Sequence, residues 1–240
     1  LYTVMDVYKI SRNGKSLRWL ESYKGTTDGD IGWTYDNALA MIALMDRGTD
    51  EDWGRAKYLA DTFVYLQDID PLKDGRLRDA YRSSNLARAA NQSSMGNMAW
   101  ATLALLRYYE EKGGYEYLSA AEKLGQWTFD NTHDERGAGG YTGGYAANLT
   151  KHMWKGTEQN IDVYLAFMKL YEATGDTTWR TRAMHAKGFV AAMWNEAVTP
   201  GHFWTGTLED GATINTNPIP QDAQSWGLIA LGEESKYGQA

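Results

Sequence analysis

The chain has 240 residues, 43% of them hydrophobic, with 24 Lys and Arg against 31 Asp and Glu and a net charge of −7. That length supports one large domain or two small ones with a real core. The acidic balance argues against binding along a nucleic-acid backbone, no run approaches the roughly 18 uncharged apolar residues of a membrane span, and the absence of cysteine excludes disulfides and thiolate metal sites. Trp and Tyr number 10 and 16 against 5 Phe. Both residue types join a flat apolar face to a polar tip, which suits a cleft that stacks on sugar rings, although packing alone also employs them.

In chain order, Ser16–Tyr23 reads as helical, and Asp28-Gly-Asp30 as a turn rather than a calcium loop. Trp33–Leu44 opens with polar residues and turns almost wholly apolar, the pattern of a helix buried on most sides. Asp50–Gln67 follows as an amphipathic helix with Trp53, Ala56, Leu59, Ala60, Phe63 and Leu66 on one stripe, and Asp50 is placed to cap it. The same pair recurs at Ser94–Leu105 with Gly114–Phe129, and at Thr157–Phe167 with Asp176–Trp194. A fourth buried segment, Gln221–Leu231, ends the series. Ala43, Ala104, Ala166 and Ala230 occupy matching places, 61, 62 and 64 residues apart. The buried helices are therefore expected to bury Ala40, Ala43, Ala101, Ala104, Ala166 and Ala230. Three long connections, Ile69–Ser93, Asn131–Gly156 and Glu196–Pro220, lead into the buried helices. Segments of that length are functional or disordered, and their Tyr and Trp content points to order. Gly137–Tyr145 predicts a glycine-turn hairpin.

Sequential helical hairpins with buried inner helices give an all-α fold, closed as a ring or open as a solenoid. The period of about 62 residues, the Trp-Thr-Tyr-Asp-Asn-Ala-Leu run at Trp33–Leu39, the Thr-Glu-Gln-Asn-Ile-Asp-Val-Tyr run at Thr157–Tyr164 and the Gln-Asp-Ala-Gln-Ser-Trp run at Gln221–Trp226 together resemble the (α/α) toroid of the six-hairpin glycosidase superfamily. About three and a half of six hairpins are visible, so residues 1–240 read as a single toroid domain that is a fragment or a partial ring. The resemblance implies catalytic acids on the face that carries the long loops.

The acidic residues at the starts of the inner helices fall on that face: Asp36, Glu158, Asp162 and Asp222, with Asn97 at the corresponding place in the second repeat. Helix capping is the alternative reading for any one of them. Trp33, Tyr35, Tyr164 and Trp226 flank them; Trp33, Tyr35, Trp154, Trp204 and Trp226 are expected to line one concave surface and, with Asn97 and Tyr145, to bind a sugar. Glycosidic hydrolysis needs one carboxyl to protonate the leaving oxygen and another to activate water, standing about 6.5–9.5 Å apart in an inverting enzyme. Glu158 and Asp222 are the leading pair, with Asp36 and Asp162 as alternates. His133, His152, His185 and His202 show no zinc-ligand spacing, so no metal and no cofactor is expected, and His185 reads as structural. The resulting expectation is a glycoside hydrolase, monomeric, secreted or periplasmic, acting on a poly- or oligosaccharide. Its rivals are a polysaccharide lyase with a Tyr or His base and a non-catalytic glycan-binding domain.

Overall fold

A computed structural model describes residues 2–25, 29–198, 200–231 and 237. Asp28 of the expected Asp28-Gly-Asp30 turn lies outside them. The chain forms two compact units, one of residues 1–127 and 145–150, the other of residues 128–144 and 151–240. No helix among the described residues is long and apolar enough to cross a membrane.

The first unit begins with a short helix, α1 (Tyr2–Met5), and a hairpin that pairs Ile10–Arg12 with Lys15–Leu17. The expected helix at Ser16–Tyr23 is absent. Leu17 ends a strand, and Trp19 is buried edge-on between Phe63 at 5.1 Å and Tyr81 at 5.6 Å. Its indole N–H donates to the Gly32 carbonyl at 2.9 Å. A Cβ at Gly32 would stand 2.0 Å from the Leu20 carbonyl oxygen, so this approach requires glycine.

Helices α2 (Thr34–Arg47), α3 (Asp50–Ile69) and α4 (Met95–Lys112) pack on one another. α2 stops at Gly48, whose φ of 73° is left-handed and whose N–H bonds Leu44 O. The cap of α3 is Thr49, not Asp50: Thr49 and Asp52 form a reciprocal capping box. Helix α5 (Tyr115–Thr132) follows after a short turn. Its Tyr117 packs edge-on against Tyr108 at 4.9 Å and donates its hydroxyl to Asp61 at 2.9 Å. A buried ion pair, Arg78 with Asp70 at 2.6 Å, orders the connection between α3 and α4.

The second unit receives the last turn of α5 and holds α6 (Thr157–Thr174), α7 (Thr177–Ala192) and α8 (Gln221–Leu231). α6 packs on both α7 and α8. Gly175, at φ 72°, ends α6, and Asp176 caps α7 by accepting the Thr178 N–H at 2.8 Å. The expected helix to Trp194 ends two residues sooner, because Trp194 and Asn195 pair with His202 and Phe203 as strands. Ile161, Val190, Phe203, Leu231 and Tyr237 form the core here, with Trp194 and Trp226 packed against it. The predicted Gly137–Tyr145 turn is present in its first part, where His133 bridges Tyr141 and Gly139 N–H bonds Arg136 O.

Ala101, Ala104 and Ala166 are buried at 2% exposure or less. Ala40 and Ala230 are half-buried, and Ala43 is exposed. The buried stripe of α2 runs through Thr34, Asn37, Ala38, Met41, Leu44 and Met45, and Ala43 lies off it.

Candidate active site

The inner helices α2, α4, α6 and α8 share one device at their fourth residue. Asn160 of α6 donates to the Gly156 carbonyl at 2.8 Å and to Tyr141 O at 3.0 Å, while its oxygen accepts Tyr141 N–H at 2.8 Å. Gln224 of α8 does the same with Pro220 O at 3.0 Å and with Phe203 O and N at 2.9 and 2.7 Å. Asn37 of α2 repeats it with Trp33 O and both backbone atoms of Leu20. In α4 the place is taken by Met98, whose sulfur accepts Leu77 N–H at 3.3 Å, with Ser93 donating to Leu77 O at 2.8 Å. Each amide imitates a strand neighbour for one residue of the preceding connection and fixes where the helix begins.

This register places the expected helix-start residues differently. Asp36 and Asn97 are third residues of their helices, whereas Glu158 and Asp222 are second residues. The residues immediately before α2, α4 and α6, namely Trp33, Ser94 and Gly156, make no side-chain cap, whereas at α8 Asp222 accepts the Ala223 N–H at 2.8 Å.

The start of α6 is pinned from one side. Thr157 donates its hydroxyl to Trp204 O at 2.6 Å and its N–H to Thr205 O at 2.9 Å. Thr207 N–H bonds Lys155 O at 2.8 Å, and Thr207 Oγ1 accepts Lys155 N–H at 3.0 Å. A Cβ at Gly206, whose φ is 142°, would lie 1.9 Å from Lys155 O, so only glycine permits this contact. The Lys155 side chain, fully buried, runs inward to Asp134 at 2.8 Å and donates to Arg136 O and Gly139 O.

Glu158 and Asp222 meet. The Glu158 carboxyl is half-buried and hydrogen-bonded to Asp222; burial, followed by the Asp222 charge, pushes it up to about 7. Asp222 is exposed and also accepts the Ala223 N–H. The separation of 6.5–9.5 Å expected of an inverting pair is therefore not the arrangement here; the carboxyls touch instead of standing apart across a water. Beside Glu158 opens a cleft of about 420 Å³, walled by Trp154, Gln159, Glu209, Asn215 and Pro220.

The other expected site residues are distributed more widely. Trp154 lies in the cleft wall, its ring lying against Gly143, where a Cβ would come within 2.5 Å. Trp204 meets His202 edge-on at 4.4 Å, and Trp226 packs on the core of its unit. Asp162, one turn beyond Glu158, is buried at 2% exposure inside the helix layer. Trp33, Tyr35, Asp36, Asn97 and Tyr145 belong to the first unit. There Trp33 pairs with Ala80 as a strand residue and Tyr35 meets Trp100 edge-on at 5.5 Å. Asn97 donates to the buried Asp79 at 2.7 Å, and Tyr145 lies under the Arg76 guanidinium beside Trp127. Glu209 and Gln159 were not singled out by sequence. Glu209 stands beside Asp210 in the turn between Gly206–Thr207 and Ile214–Asn215, with no counterpart in other repeats to mark it.

Spacing along the chain shows no metal ligands, yet the fold groups three candidates. Potential ligand atoms of His133, Glu135 and His185 lie within 4.8 Å of one another. His133 and Glu135 are 3.0 Å apart, and His185 Nε2 lies 2.8 Å from the Gly140 nitrogen. The same nitrogen also lies 3.2 Å from the Asp134 and Gly140 carbonyl oxygens, so whether it donates or accepts depends on the tautomer.

As a sequence, the chain matches no protein-family profile and no curated protein. As a structure it has clear relatives. A D-mannose isomerase superposes with a TM-score of 0.70 at 18% identity, over 98% of this chain and 63% of that one. The cellobiose 2-epimerase of Spirochaeta thermophila gives 0.69 at 14% identity, over 90% and 63%. A GH76 alpha-mannanase of Bacteroides thetaiotaomicron gives 0.66 at 15% identity, over 98% and 62%. The chain shares the (α/α) toroid fold of these structures. It spans under two thirds of the length of these three toroids. Such a likeness establishes the toroid architecture that the helical period implied, and the chemistry rests on the residues of the cleft.

Proposed function

We propose that the chain acts on carbohydrate as a glycoside hydrolase, with Glu158 as its general acid. The observation that carries this reading is a carboxyl poised near neutrality, at about 7, beside a second carboxyl and an indole-walled cleft. An acid with that poise holds its proton at rest and passes it to the leaving oxygen as the glycosidic C–O bond breaks and water adds to the anomeric carbon, the water's own proton going to solvent. Asp222 is the partner that keeps the proton on Glu158. The Trp154 face offers a flat apolar wall for a sugar ring.

A second reading is sugar isomerisation or epimerisation. Carboxyls in contact cannot flank opposite faces of one sugar ring, but they suit proton transfer on a single face, as in removing the proton next to a carbonyl. Two of the structural relatives are an isomerase and an epimerase.

Incubation with a panel of oligosaccharides in deuterated water separates the readings. New reducing ends mark hydrolysis, a product absorbing in the ultraviolet marks a lyase, and deuterium at the carbon beside the carbonyl marks an isomerase. Glu158→Gln should lower whichever turnover is found by at least about a hundredfold with folding intact. Unchanged turnover in that variant overturns the assignment of Glu158.

A further inference from the structure

We propose that the cleft beside Glu158 selects uncharged glycans and rejects uronic-acid polymers, with Glu209 as the residue that sets this preference. The proposal rests on the carbohydrate reading above and names its substrate class. Two acidic side chains, Glu158 and Glu209, line the cleft, and Asp222 is bonded to the first. Among the described residues, the one Lys or Arg in the wall is Lys155. Its ammonium is turned away and fully occupied: it reaches Asp134 at 2.8 Å, Arg136 O at 2.6 Å and Gly139 O at 2.7 Å, with no side-chain exposure. The wall thus presents lysine backbone and stem, not charge.

Glu209 is held in place while remaining open to solvent. Its Oε2 accepts Met153 N–H at 3.0 Å, and its side chain is 67% exposed. Met153 immediately precedes Trp154, so the carboxylate sits beside the wall on which a ring would stack. The His152 imidazole lies 4.0 Å from its Oε1. Arg136, close by in the same unit, is bonded to Asp134 and to Asp210 O. A carboxylate on the incoming sugar would therefore meet like charge and find no vacant cation among the described residues of the wall, whereas a hydroxymethyl group in the same place meets only hydrogen-bond partners.

The test compares matched hexasaccharides, neutral and C6-oxidised: glucan with glucuronan, mannan with mannuronan, galactan with galacturonan. Binding is measured by calorimetry at pH 8 and low salt, above the titration of Glu158. The expected result is that a neutral hexamer binds at least about tenfold more tightly than its oxidised counterpart. Glu209→Gln should narrow that ratio by about tenfold, and Glu209→Lys should narrow it further or reverse it. Tighter binding of an oxidised hexamer by the wild-type protein overturns the proposal, as does an unchanged ratio in both variants that keep the wild-type melting temperature. Binding of neither set overturns the carbohydrate reading itself and this selectivity with it.

Discussion

Asn160 and Gln224, one repeat apart, hold their preceding connections with the same three hydrogen bonds: one to the carbonyl four residues back and two to the backbone of a single loop residue. Asn160 is fully buried, so removing its amide leaves the Tyr141 N–H and carbonyl without partners away from water. Asn160→Ala should cost about 2–4 kcal/mol by denaturant unfolding. Gln224→Ala, at a half-buried position, should cost about half of that. Equal, negligible losses in both variants would show that the amides are bystanders.

Glu158 makes stability depend on pH with a definite sign. Its folded pKa, about 7, lies above the ordinary carboxylate range, so the folded state holds the proton more tightly than the unfolded chain. Its contribution is therefore fully present below about pH 4.3 and is lost as pH rises through 7. Glu158→Gln removes that loss. Discounted for the part exposure of the side chain, the gain at pH 8 should be about 1 kcal/mol, or about 2–4 °C in melting temperature, shrinking to nothing near pH 4. Catalysis by the protonated form should decline over the same upper range, and a wild-type rate that is flat from pH 6 to 9 would count against Glu158 as the acid.

The tryptophans of the second unit divide by what they touch. Trp226 packs on Ile161, Phe203 and their neighbours, so Trp226→Ala should act on stability, by about 2–4 kcal/mol. Trp154 walls the cleft, and Trp154→Ala should weaken glycan binding about tenfold or more. Because its ring also lies against Gly143, a modest fall in melting temperature is expected alongside. Calorimetric titration and thermal unfolding on the two variants distinguish the roles, and the reverse pattern would exchange them.

Ala104 sits in the middle of α4 with no exposed surface. A larger side chain there has no room except by moving a neighbouring element. Ala104→Leu should destabilise by about 1–3 kcal/mol, while Ala43→Leu, at an exposed position of α2, should stay within about 0.5 kcal/mol of wild type. Chemical denaturation of the pair measures the contrast.

The helical hairpins were legible because burial imposes a period on the inner helices, visible from Ala104 to Ala166 without any motif. The acids of α6 and α8 were legible from their place at the start of such helices, and the two carboxyls do meet. The clamps were harder to see, although Asn37, Asn160 and Gln224 stand in plain view. Met98 breaks the chemical pattern while keeping its geometry, so aligning residue types concealed a repeat that hydrogen bonds reveal. The two-residue strands of the connections were illegible for a different reason. A pairing as short as Trp194–Asn195 with His202–Phe203 has no alternation to read, and it cut short a helix whose amphipathic pattern ran on to Trp194. Glu209 was hidden because a loop residue reached through Met153 N–H leaves no trace in spacing.

The clamp also says what the heritable module of this architecture is. Each inner helix takes its axial position from the loop residue its own fourth side chain grasps, Tyr141 for α6 and Phe203 for α8. A helix transplanted alone between repeats would arrive without its anchor and slide, carrying its acid out of place. A segment cut to include the grasped residue, the connection and the helix brings its coordinates along. Recombination or hairpin grafting in this protein should therefore tolerate crossovers in the short turns between inner and outer helices, and fail at crossovers placed just before Thr157 or Gln221.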